Sequence, residues 1–476
     1  MGLAFGLAGG RVKYETFVAN KLAKVLPTGL AEVPPLSPLL FPFQRDMVSW
    51  ALRRGRAAIF ADCGLGKTIC ELTWAQAVAE HTGKRTLILT PLAVAPQMVR
   101  EATQFGIKAV YLREPRDTEE RVVITNYERL DKFDASEFGG VAIDESSILK
   151  SFDGSTRSAL IQTFADTAFR LAATATPAPN DHMELGNHAE FLGICTVSEM
   201  LAEYMTHDGG ETQKWCLKGH AVKVFWDWVS SWAIAVRKPS DLQYEDAGYD
   251  LPPLNIKEHV VDPDDDVTSK AAGLLFAMPA RGLHEQRVAR RASLAQRVER
   301  VASLVAKEPN EPWLIWCELN DEGDALESAI PGAVQVAGAD TPEFKEKSLV
   351  DFAEGRSRIL ISKPSLAGFG MNFQVCARVA FVGVTHSFEQ FFQATRRCWR
   401  FGQKRPVDVH VVSSTLDSEV LANLRRKERE AGAMIGSMVD SMRERQLENV
   451  RGAVRETNAY RPAKIHIPAW LVSEAT

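Results

Sequence analysis

Short runs of aliphatic residues alternate with amphipathic stretches over much of the chain. The apolar runs predict strands at residues 57–60, 87–91, 121–125 and 140–143 in the first half, and at 313–317, 333–336, 358–361 and 379–383 in the second half. Because each run is apolar at successive positions, both of its faces should be buried, as in a parallel sheet covered by helices. The pattern therefore predicts an α/β protein with two parallel-sheet domains in tandem.

The stretch between the two halves has a different pattern. Five apolar residues recur there at helical spacing: Phe225, Trp228, Val229, Trp232 and Val236. Such a stripe is typical of the apolar face of a core helix, and a surface that stacks nucleic-acid bases is the alternative. We expect a helical insertion between the two domains.

These patterns divide the chain into five segments. We expect an N-terminal extension at residues 1–38, a first domain at 39–191 and a helical insertion with a linker at 192–290. A second domain at 291–430 and a C-terminal helical extension at 431–476 should follow. The charged helix formers that begin at Ser418 are expected to pack on the second domain.

Length and composition narrow the class of protein. A chain of 476 residues suggests two or three domains, and 45% hydrophobic with 25% charged residues is typical of globular proteins. No segment is apolar for long enough to span a bilayer, and the first residues lack the basic region of a signal peptide. We expect a cytoplasmic protein that does not contact membranes.

The cysteines and the net charge exclude further classes of protein. The seven cysteines form no C-x-x-C pair, which argues against a disulfide framework and a zinc site. A net charge of −5 excludes a uniformly basic surface, so any nucleic acid must be bound by local patches. Arg287, Arg290 and Arg291 would share one helix face and form the best such patch, with a solvated helix as the alternative.

The sequence Ala-Asp-Cys-Gly-Leu-Gly-Lys-Thr at residues 61–68 lies between a predicted strand and a predicted helix, which is the context of a phosphate-binding loop. Gly64 and Gly66 would let the backbone turn sharply and bring its N–H groups close to phosphate oxygens. Lys67 would reach the β- and γ-phosphates, and the Thr68 hydroxyl would hold Mg²⁺. The motif predicts ATP and Mg²⁺ as ligands, with a chance glycine-rich turn as the alternative.

Two carboxylates follow the predicted strand at 140–143. Residues just beyond the carboxyl end of a parallel strand face the ligand crevice. Asp144 is therefore placed to hold Mg²⁺, and Glu145 to polarise the attacking water. An acidic surface turn is the alternative.

Three further candidate ligands of the nucleotide lie before and far beyond these motifs in the chain. Gln44 precedes the phosphate lysine by about twenty residues, and its amide could pair with the donor and acceptor edge of adenine. Arg397 and Arg400 lie three residues apart and would project from one face of a helix. Two guanidinium groups entering from the second domain could stabilise the charge that develops during phosphoryl transfer.

In their order along the chain, these motifs resemble those of superfamily 2 helicases, and within them the Swi/Snf-type DNA translocases in the compact form of bacterial or phage members. The matching segments are residues 41–44, 61–68, 90–92, 144–147, 174–177, 368–372 and 393–403. Through the last two segments, the resemblance adds Gly370 and Gln393 to the nucleotide-binding residues. The acidic segment departs from the family, since it reads D-E-S-S and not D-E-x-H.

The resemblance implies two RecA-like domains with ATP and Mg²⁺ in the cleft and duplex DNA across both. It implies ATP hydrolysis that is stimulated by DNA and coupled to translocation, with contacts to DNA phosphates and little dependence on sequence. A strand-separating helicase is one alternative, and a nucleotide-gated nucleic-acid-binding module without turnover is another. The joint presence of Lys67, Glu145, Arg397 and Arg400 argues against the module, because a pure binder does not need them all.

Overall fold

The computed structural model describes residues 27–92, 94–150, 154–178, 181–208, 211–262, 291–367, 372–383, 387–415 and 418–451. Within these residues, two parallel sheets form the centres of two lobes, a first lobe at residues 27–242 and a second lobe at residues 254–415. No helix in this part of the chain has both the length and the apolar character that crossing a bilayer requires.

The first lobe contains nine strands in its described part. They are β1 (Arg56–Ala61), β2 (Arg85–Thr90), β3 (Ala109–Tyr111), β4 (Val122–Asn126), β5 (Phe138–Asp144), β6 (Phe169–Thr174), β7 (Met205–Asp208), β8 (Glu211–Leu217) and β9 (Ala233–Val236). Seven of them form a sheet in the order β3-β4-β2-β5-β6-β1-β9, with every neighbouring pair parallel. The remaining two, β7 and β8, pair as an antiparallel hairpin.

Helices cover both faces of the first sheet. They are α1 (Pro42–Arg54), α2 (Lys67–Thr82), α3 (Ala95–Gln104), α4 (Ser155–Thr163), α5 (Glu184–Phe191), α6 (Val197–Tyr204) and α7 (Val222–Val229). Two apolar clusters, one on each face, bury the side chains that alternate along the central strands. Ile59 lies in one cluster and Phe60 in the other, as expected for a strand that is covered on both sides.

The second lobe repeats this plan with six strands in its described part. The strands are β10 (Leu254–Val261), β11 (Trp313–Cys317), β12 (Ala333–Val336), β13 (Ile359–Ser362), β14 (Arg378–Val382) and β15 (Val407–Ser414), in the order β10-β15-β14-β11-β13-β12. All pairs are parallel. The helices are α8 (Leu294–Lys307), α9 (Asn320–Ala329), α10 (Pro342–Ala353), α11 (Pro364–Ala367) and α12 (Phe388–Thr395).

The structure confirms the predicted α/β fold with two parallel sheets in tandem. Each of the eight predicted strands is present within two residues of its expected bounds. The segment expected to be a helical insertion, residues 192–290, contains strands as well as helices in its described part. Its strand β9 extends the first sheet beside β1, and β10 extends the second sheet beside β15.

The aromatic stripe in that segment lies in the core, as predicted. Four of its five residues are buried, namely Phe225, Val229, Trp232 and Val236, and Trp228 is half-buried against the same core. The helix nevertheless ends at Val229, and Val236 belongs to β9, so the expectation of one continuous helix is wrong. Residues three and four positions apart can all be buried even when the helix ends between them and the chain continues into a buried strand.

The predicted basic patch stays a prediction. Arg287 and Arg290 lie outside the described residues, and Arg291 is exposed with its Nε 3.8 Å from a carboxylate oxygen of Asp321. Further along the same stretch, the guanidinium of Arg297 is fully buried and lies 2.7 Å from a carboxylate oxygen of Glu322. Its charge therefore stabilises the packing of α8 against α9 and is not available to DNA.

The last described helix, α13 (Ser418–Arg451), is 34 residues long. It was expected to pack on the second domain, but it contacts mainly α7, β9 and α1 of the first lobe. Met438 and Met442 are buried in the apolar cluster that contains α7, whereas Ala431 is buried in the second lobe. The helix thus contacts both lobes. Its apolar face packs mainly against the first lobe, although the second lobe precedes it directly in the chain.

Candidate nucleotide-binding cleft

Residues of both lobes line one cleft at the carboxyl ends of the strands, where parallel sheets bind ligands. The first lobe provides residues that follow β1 and β5 and residues near α3, and the second lobe provides the turn after α12. The lining residues are Cys63, Gly64, Gly66, Lys67, Thr68, Val94, Gln97, Met98, Glu101, Asp144, Glu145, Asn372, Arg396, Arg397 and Arg400.

The loop between β1 and α2 has the conformation that its glycines predict. Gly64 has a φ of 90° and Gly66 a φ of 80°, which L side chains rarely adopt. Space is limiting as well, since a Cβ on Gly64 would lie 3.0 Å from the backbone nitrogen of Phe401 and one on Gly66 would lie 2.3 Å from Nε2 of Gln44. Both the dihedral angles and the packing therefore require glycine.

Lys67 begins α2, and its ammonium donates a hydrogen bond to the carbonyl of Ala61 at 2.9 Å. Burial acts to lower the pKa of Lys67, but nearby acidic groups, among them Glu145 and Asp144, outweigh burial and raise the pKa. Lys67 therefore stays charged. Thr68 lines the same cleft from the first turn of the helix.

Asp144 and Glu145 stand where β5 ends. The Asp144 carboxylate is buried, and its Oδ2 accepts a hydrogen bond from the hydroxyl of Thr90 at 2.7 Å. Burial raises the pKa of both acids, that of Glu145 to about 7. Glu145 has a φ of 53°, an uncommon backbone conformation for a residue with a side chain, and its Oε2 accepts a hydrogen bond from Thr174 at 3.4 Å.

Two contacts within the first lobe hold residues 144–150, the acidic turn, in place. The hydroxyl of Tyr127 donates a hydrogen bond to the carbonyl of Asp144. Nε2 of His188 lies 3.1 Å from the hydroxyl of Ser146. Such contacts can maintain an unfavourable backbone conformation at a functional position.

Arg397 and Arg400 line the cleft from the second lobe, but not from a helix. The helix α12 ends at Thr395, and both arginines belong to the turn that follows, so the predicted helical face is wrong. Burial lowers the pKa of both guanidinium groups, that of Arg400 to about 10, which still leaves them charged near neutral pH. Arg400 also donates a hydrogen bond to the side chain of Asn372.

The other predicted nucleotide ligands do not line the cleft in the described residues. Gln44 is buried beneath the loop, where Nε2 donates to the carbonyl of Leu65 at 2.9 Å and Oε1 accepts from the N–H of Phe41 at 3.0 Å. Gln393 is buried with no hydrogen-bond partner for its amide among the described residues. Gly370 lies outside the described residues. Their nucleotide-binding roles stay predictions.

The sequence interpretation missed several charged residues at the cleft. Arg396 forms an ion pair with Asp62 across the lobes at 2.7 Å. Glu389 of the second lobe contacts the acidic turn of the first, and Glu101 lines the cleft opposite the arginines. The only sequence signal for Arg396 was its position beside Arg397, and its partner lies more than 300 residues away.

Glu71 is a further buried acid one helical turn beyond Lys67. Its side chain is fully buried, and its carboxylate has no hydrogen-bond partner in the described part of the chain. Burial, and then the charge of Asp144, raise the pKa of Glu71 well above its usual range. The Glu71 carboxyl therefore binds a proton more readily than the carboxyl of an exposed glutamate.

The residues proposed for magnesium fit that ion chemically. The hydroxyl of Thr68 and the carboxylate of Asp144 line the same cleft. Mg²⁺ prefers oxygen ligands and is usually bound by one or two protein oxygens together with substrate phosphates and waters. Thr68 and Asp144 are such a pair.

Comparisons with known proteins find similarity among solved structures but none among family models or curated sequences. No protein-family model and no curated protein matches the sequence. Among solved structures, the chain is similar to the Sulfolobus solfataricus SWI2/SNF2 ATPase core in complex with dsDNA, with 19% sequence identity and a TM-score of 0.41. The match covers 88% of this chain and 98% of that chain.

Proposed function

We propose that the protein is a magnesium-dependent ATPase that hydrolyses ATP to ADP and phosphate, is stimulated by DNA and uses the reaction to translocate on duplex DNA. The observation that carries the proposal is the meeting of Lys67 and Glu145 of the first lobe with Arg397 and Arg400 of the second lobe in one cleft. The order of the motifs along the chain, which resembles that of Swi/Snf-type translocases, supports the DNA part.

The phosphate loop would bind the triphosphate. The N–H groups between Gly64 and Thr68 would surround the phosphates, and the charged ammonium of Lys67 would bind the β- and γ-phosphate oxygens. Thr68 and Asp144 would hold Mg²⁺, which neutralises charge on the phosphate oxygens when bound.

Glu145 would orient the attacking water and accept its proton. The water oxygen bonds to the γ-phosphorus while the bond from phosphorus to the bridging oxygen breaks, and ADP leaves. Glu145 lines the cleft, and its carboxylate accepts a hydrogen bond from Thr174 there. The chemistry therefore needs no covalent intermediate with the protein.

Arg397 and Arg400 would stabilise the negative charge that spreads over the γ-phosphoryl oxygens in the transition state. Because these two residues belong to the second lobe, hydrolysis requires that the lobes be closed on each other. Closure during binding and opening after product release would then move the two lobes relative to each other along DNA. Contacts to DNA phosphates would make binding insensitive to sequence and sensitive to salt.

The test compares ATPase rates with no nucleic acid, single-stranded DNA, duplex DNA and RNA, for the wild type and Glu145→Gln. We expect the largest stimulation with duplex DNA, and we expect Glu145→Gln to bind ATP but to lose turnover. A Glu145→Gln rate within a few-fold of wild type contradicts the role of Glu145. ATP binding without turnover in the wild type would instead favour the nucleotide-gated module.

Two displacement assays separate translocation from strand separation. A translocase on duplex DNA should displace the third strand of a triplex and leave a plain duplex intact. A strand-separating helicase should release one strand of a plain duplex. An ATPase rate that no nucleic acid changes would refute the DNA part of the proposal.

A further inference from the structure

Glu389 extends from the second lobe across the cleft to the first. It is the second residue of α12, and its N-cap residue, Ser387, accepts a hydrogen bond from the N–H of Gln390 at 3.3 Å. One carboxylate oxygen of Glu389 accepts a hydrogen bond from the hydroxyl of Ser147, and the other forms an ion pair with the ammonium of Lys150. The Glu389 side chain is 13% exposed and that of Lys150 is 41% exposed, so the carboxylate is shielded from solvent more than the ammonium.

Both partners of Glu389 belong to the short 3-10 helix Ser146–Lys150. This helix follows Glu145 directly, and the N–H of Ile148 donates to the carbonyl of Glu145 at 3.1 Å. Glu145 has the left-handed backbone conformation, which costs about 1 kcal/mol for a residue with a side chain. A contact that fixes the 3-10 helix therefore also fixes the backbone from which the Glu145 carboxylate projects.

The acidic turn has contacts within the first lobe and a contact from the second lobe, and only the latter depends on how the lobes are placed. Tyr127 and His188 hold Asp144 and Ser146 and belong to the first lobe itself, so they persist whether the lobes are closed or open. Glu389 belongs to the second lobe and can reach the turn only when the lobes are closed. The same α12 leads within a few residues to Arg397 and Arg400, so one movement brings the carboxylate and the guanidinium groups to the cleft.

The sequence of the acidic motif fits this arrangement. Ser147 occupies the position at which the D-E-x-H pattern has histidine. The sequence alone assigns no role to this serine. In the structure, its hydroxyl is one of the two donors that bind Glu389.

Resting on the proposed ATPase function, we propose that Glu389 is a positioning residue through which closure of the second lobe fixes the geometry of Glu145. Glu389 does not touch the nucleotide in this scheme. It acts through Ser147 and Lys150, so that Glu145 is aligned for hydrolysis only when the two lobes are together. The water-activating carboxylate and the guanidinium groups then become competent at the same moment.

The experiment measures kcat and KM for ATP in Glu389→Gln and Lys150→Met. A misplaced catalytic group lowers the rate by roughly ten- to a hundredfold, so we expect kcat to fall by that factor while KM for ATP changes by about twofold at most. The double variant Lys150→Glu with Glu389→Lys restores the ion pair with reversed polarity, and a serine hydroxyl can accept as well as donate. We expect this double variant to recover a part of kcat.

Glu346→Gln is the matched control. Glu346 is also a glutamate of the second lobe that pairs across the lobes, with Arg100 at 3.1 Å, but its partner is not on the acidic turn and both side chains are exposed. We expect it to keep the wild-type kcat and KM. Thermal unfolding of every variant checks that each is folded. Ser147→Ala tests the same contact from the first lobe, because it removes the hydroxyl that donates to Glu389.

The results separate the two proposals. If the wild type hydrolyses ATP and Glu145→Gln does not, but Glu389→Gln and Lys150→Met behave like Glu346→Gln, the positioning role is refuted and the ATPase function stands. A raised KM with an unchanged kcat also refutes it, because Glu389 would then act on binding. Absence of ATP turnover in the wild type would refute the proposed function itself, and the positioning role with it.

Discussion

Nη2 of Arg396 lies 2.7 Å from Oδ2 of Asp62, and this ion pair joins the second lobe to the phosphate loop of the first. The other carboxylate oxygen of Asp62 accepts a hydrogen bond from the N–H of Cys63 at 2.7 Å. The guanidinium of Arg396 also lies 4.4 Å from the ring centroid of Trp399. Because the two charged side chains are only 11% and 24% exposed, water screens the pair less than it screens a surface pair.

A double-mutant cycle tests this ion pair. We expect Asp62→Asn and Arg396→Gln each to destabilise the protein and their double variant to destabilise it less than the sum, with a coupling of about 1 kcal/mol in the free energy of unfolding by urea. The control cycle uses Arg100→Gln and Glu346→Gln, an exposed pair whose coupling should be about 0.3 kcal/mol. Strict additivity of Asp62→Asn and Arg396→Gln would mean that the pair contributes no stability.

Replacement of Arg400 tests the role of the second-lobe cations. We expect Arg400→Ala to lower ATP turnover by about three powers of ten, because its charge is needed mainly in the transition state, and to change ATP affinity only a few-fold. Single-turnover kinetics and equilibrium nucleotide binding measure the two effects. Arg405→Ala, an exposed arginine of the same lobe that pairs with Glu311, is the control. An equal loss of turnover and affinity would make Arg400 a binding residue.

Gln446 completes the edge of the first sheet. Its side-chain amide accepts a hydrogen bond from the N–H of Ala235 at 3.0 Å and donates one to the carbonyl of Ala235 at 2.9 Å, in a buried position. Ala235 belongs to β9, the last strand of the sheet, so the amide takes the place of a neighbouring strand. We expect Gln446→Ala to lower the free energy of unfolding by about 2 kcal/mol, because two buried backbone groups lose their partners.

Urea unfolding measures this loss, and Glu444→Ala is the control, since Glu444 lies on the same helix with an exposed side chain. A change in Gln446→Ala no larger than that in Glu444→Ala would show that the two hydrogen bonds do not stabilise the edge.

Two histidines should make the protein sensitive to acid. Burial lowers the pKa of His188 and of His410 to about 4. His410 also receives a hydrogen bond in a defined tautomer: Arg300 can only donate, so Nδ1 of His259 accepts from it, and Nε2 of His259 then donates to Nδ1 of His410 at 2.9 Å. Both buried imidazoles are therefore neutral in the folded protein.

Because these folded-state pKa values lie below the unfolded value of 6.5, the unfolded chain binds more protons between pH 6.5 and pH 4. The contribution of the two imidazoles to stability is complete above pH 6.5 and is lost as the pH falls through this range. Each should add a slope of about 1.4 kcal/mol per pH unit to the free energy of unfolding. We expect His410→Asn to remove one such contribution from the pH dependence of the free energy of unfolding. An unchanged slope in His410→Asn would contradict this.

The parts of the fold that the sequence predicts are those coded by local patterns. Short runs such as 87–91 and 140–143, which are apolar at most positions, favour strands that are buried on both faces of a covered parallel sheet, and they become β2 and β5. The glycines of the phosphate loop and the acids after β5 are also local signals, since each follows directly on a predicted strand.

The features that the sequence did not predict depend on distant partners. Trp232 and Val236 are buried whether they lie in a helix or beyond its end, so their spacing could not reveal β9. Arg297 has the same local pattern as a solvated arginine, and only the position of Glu322 makes it a buried ion pair. Likewise, nothing within residues 396–400 indicates that Asp62 is the partner of Arg396.

The long final helix has a mechanical consequence. In the described residues, the chain passes from the first lobe to the second between residues 242 and 254, and α13 then packs against α7 and β9 of the first lobe. We expect the lobes to rotate relative to each other about these two connections and not to separate freely. A truncated protein that ends at residue 415 would lose one of them, expose the apolar surface that Met438 and Met442 cover, and be prone to aggregate.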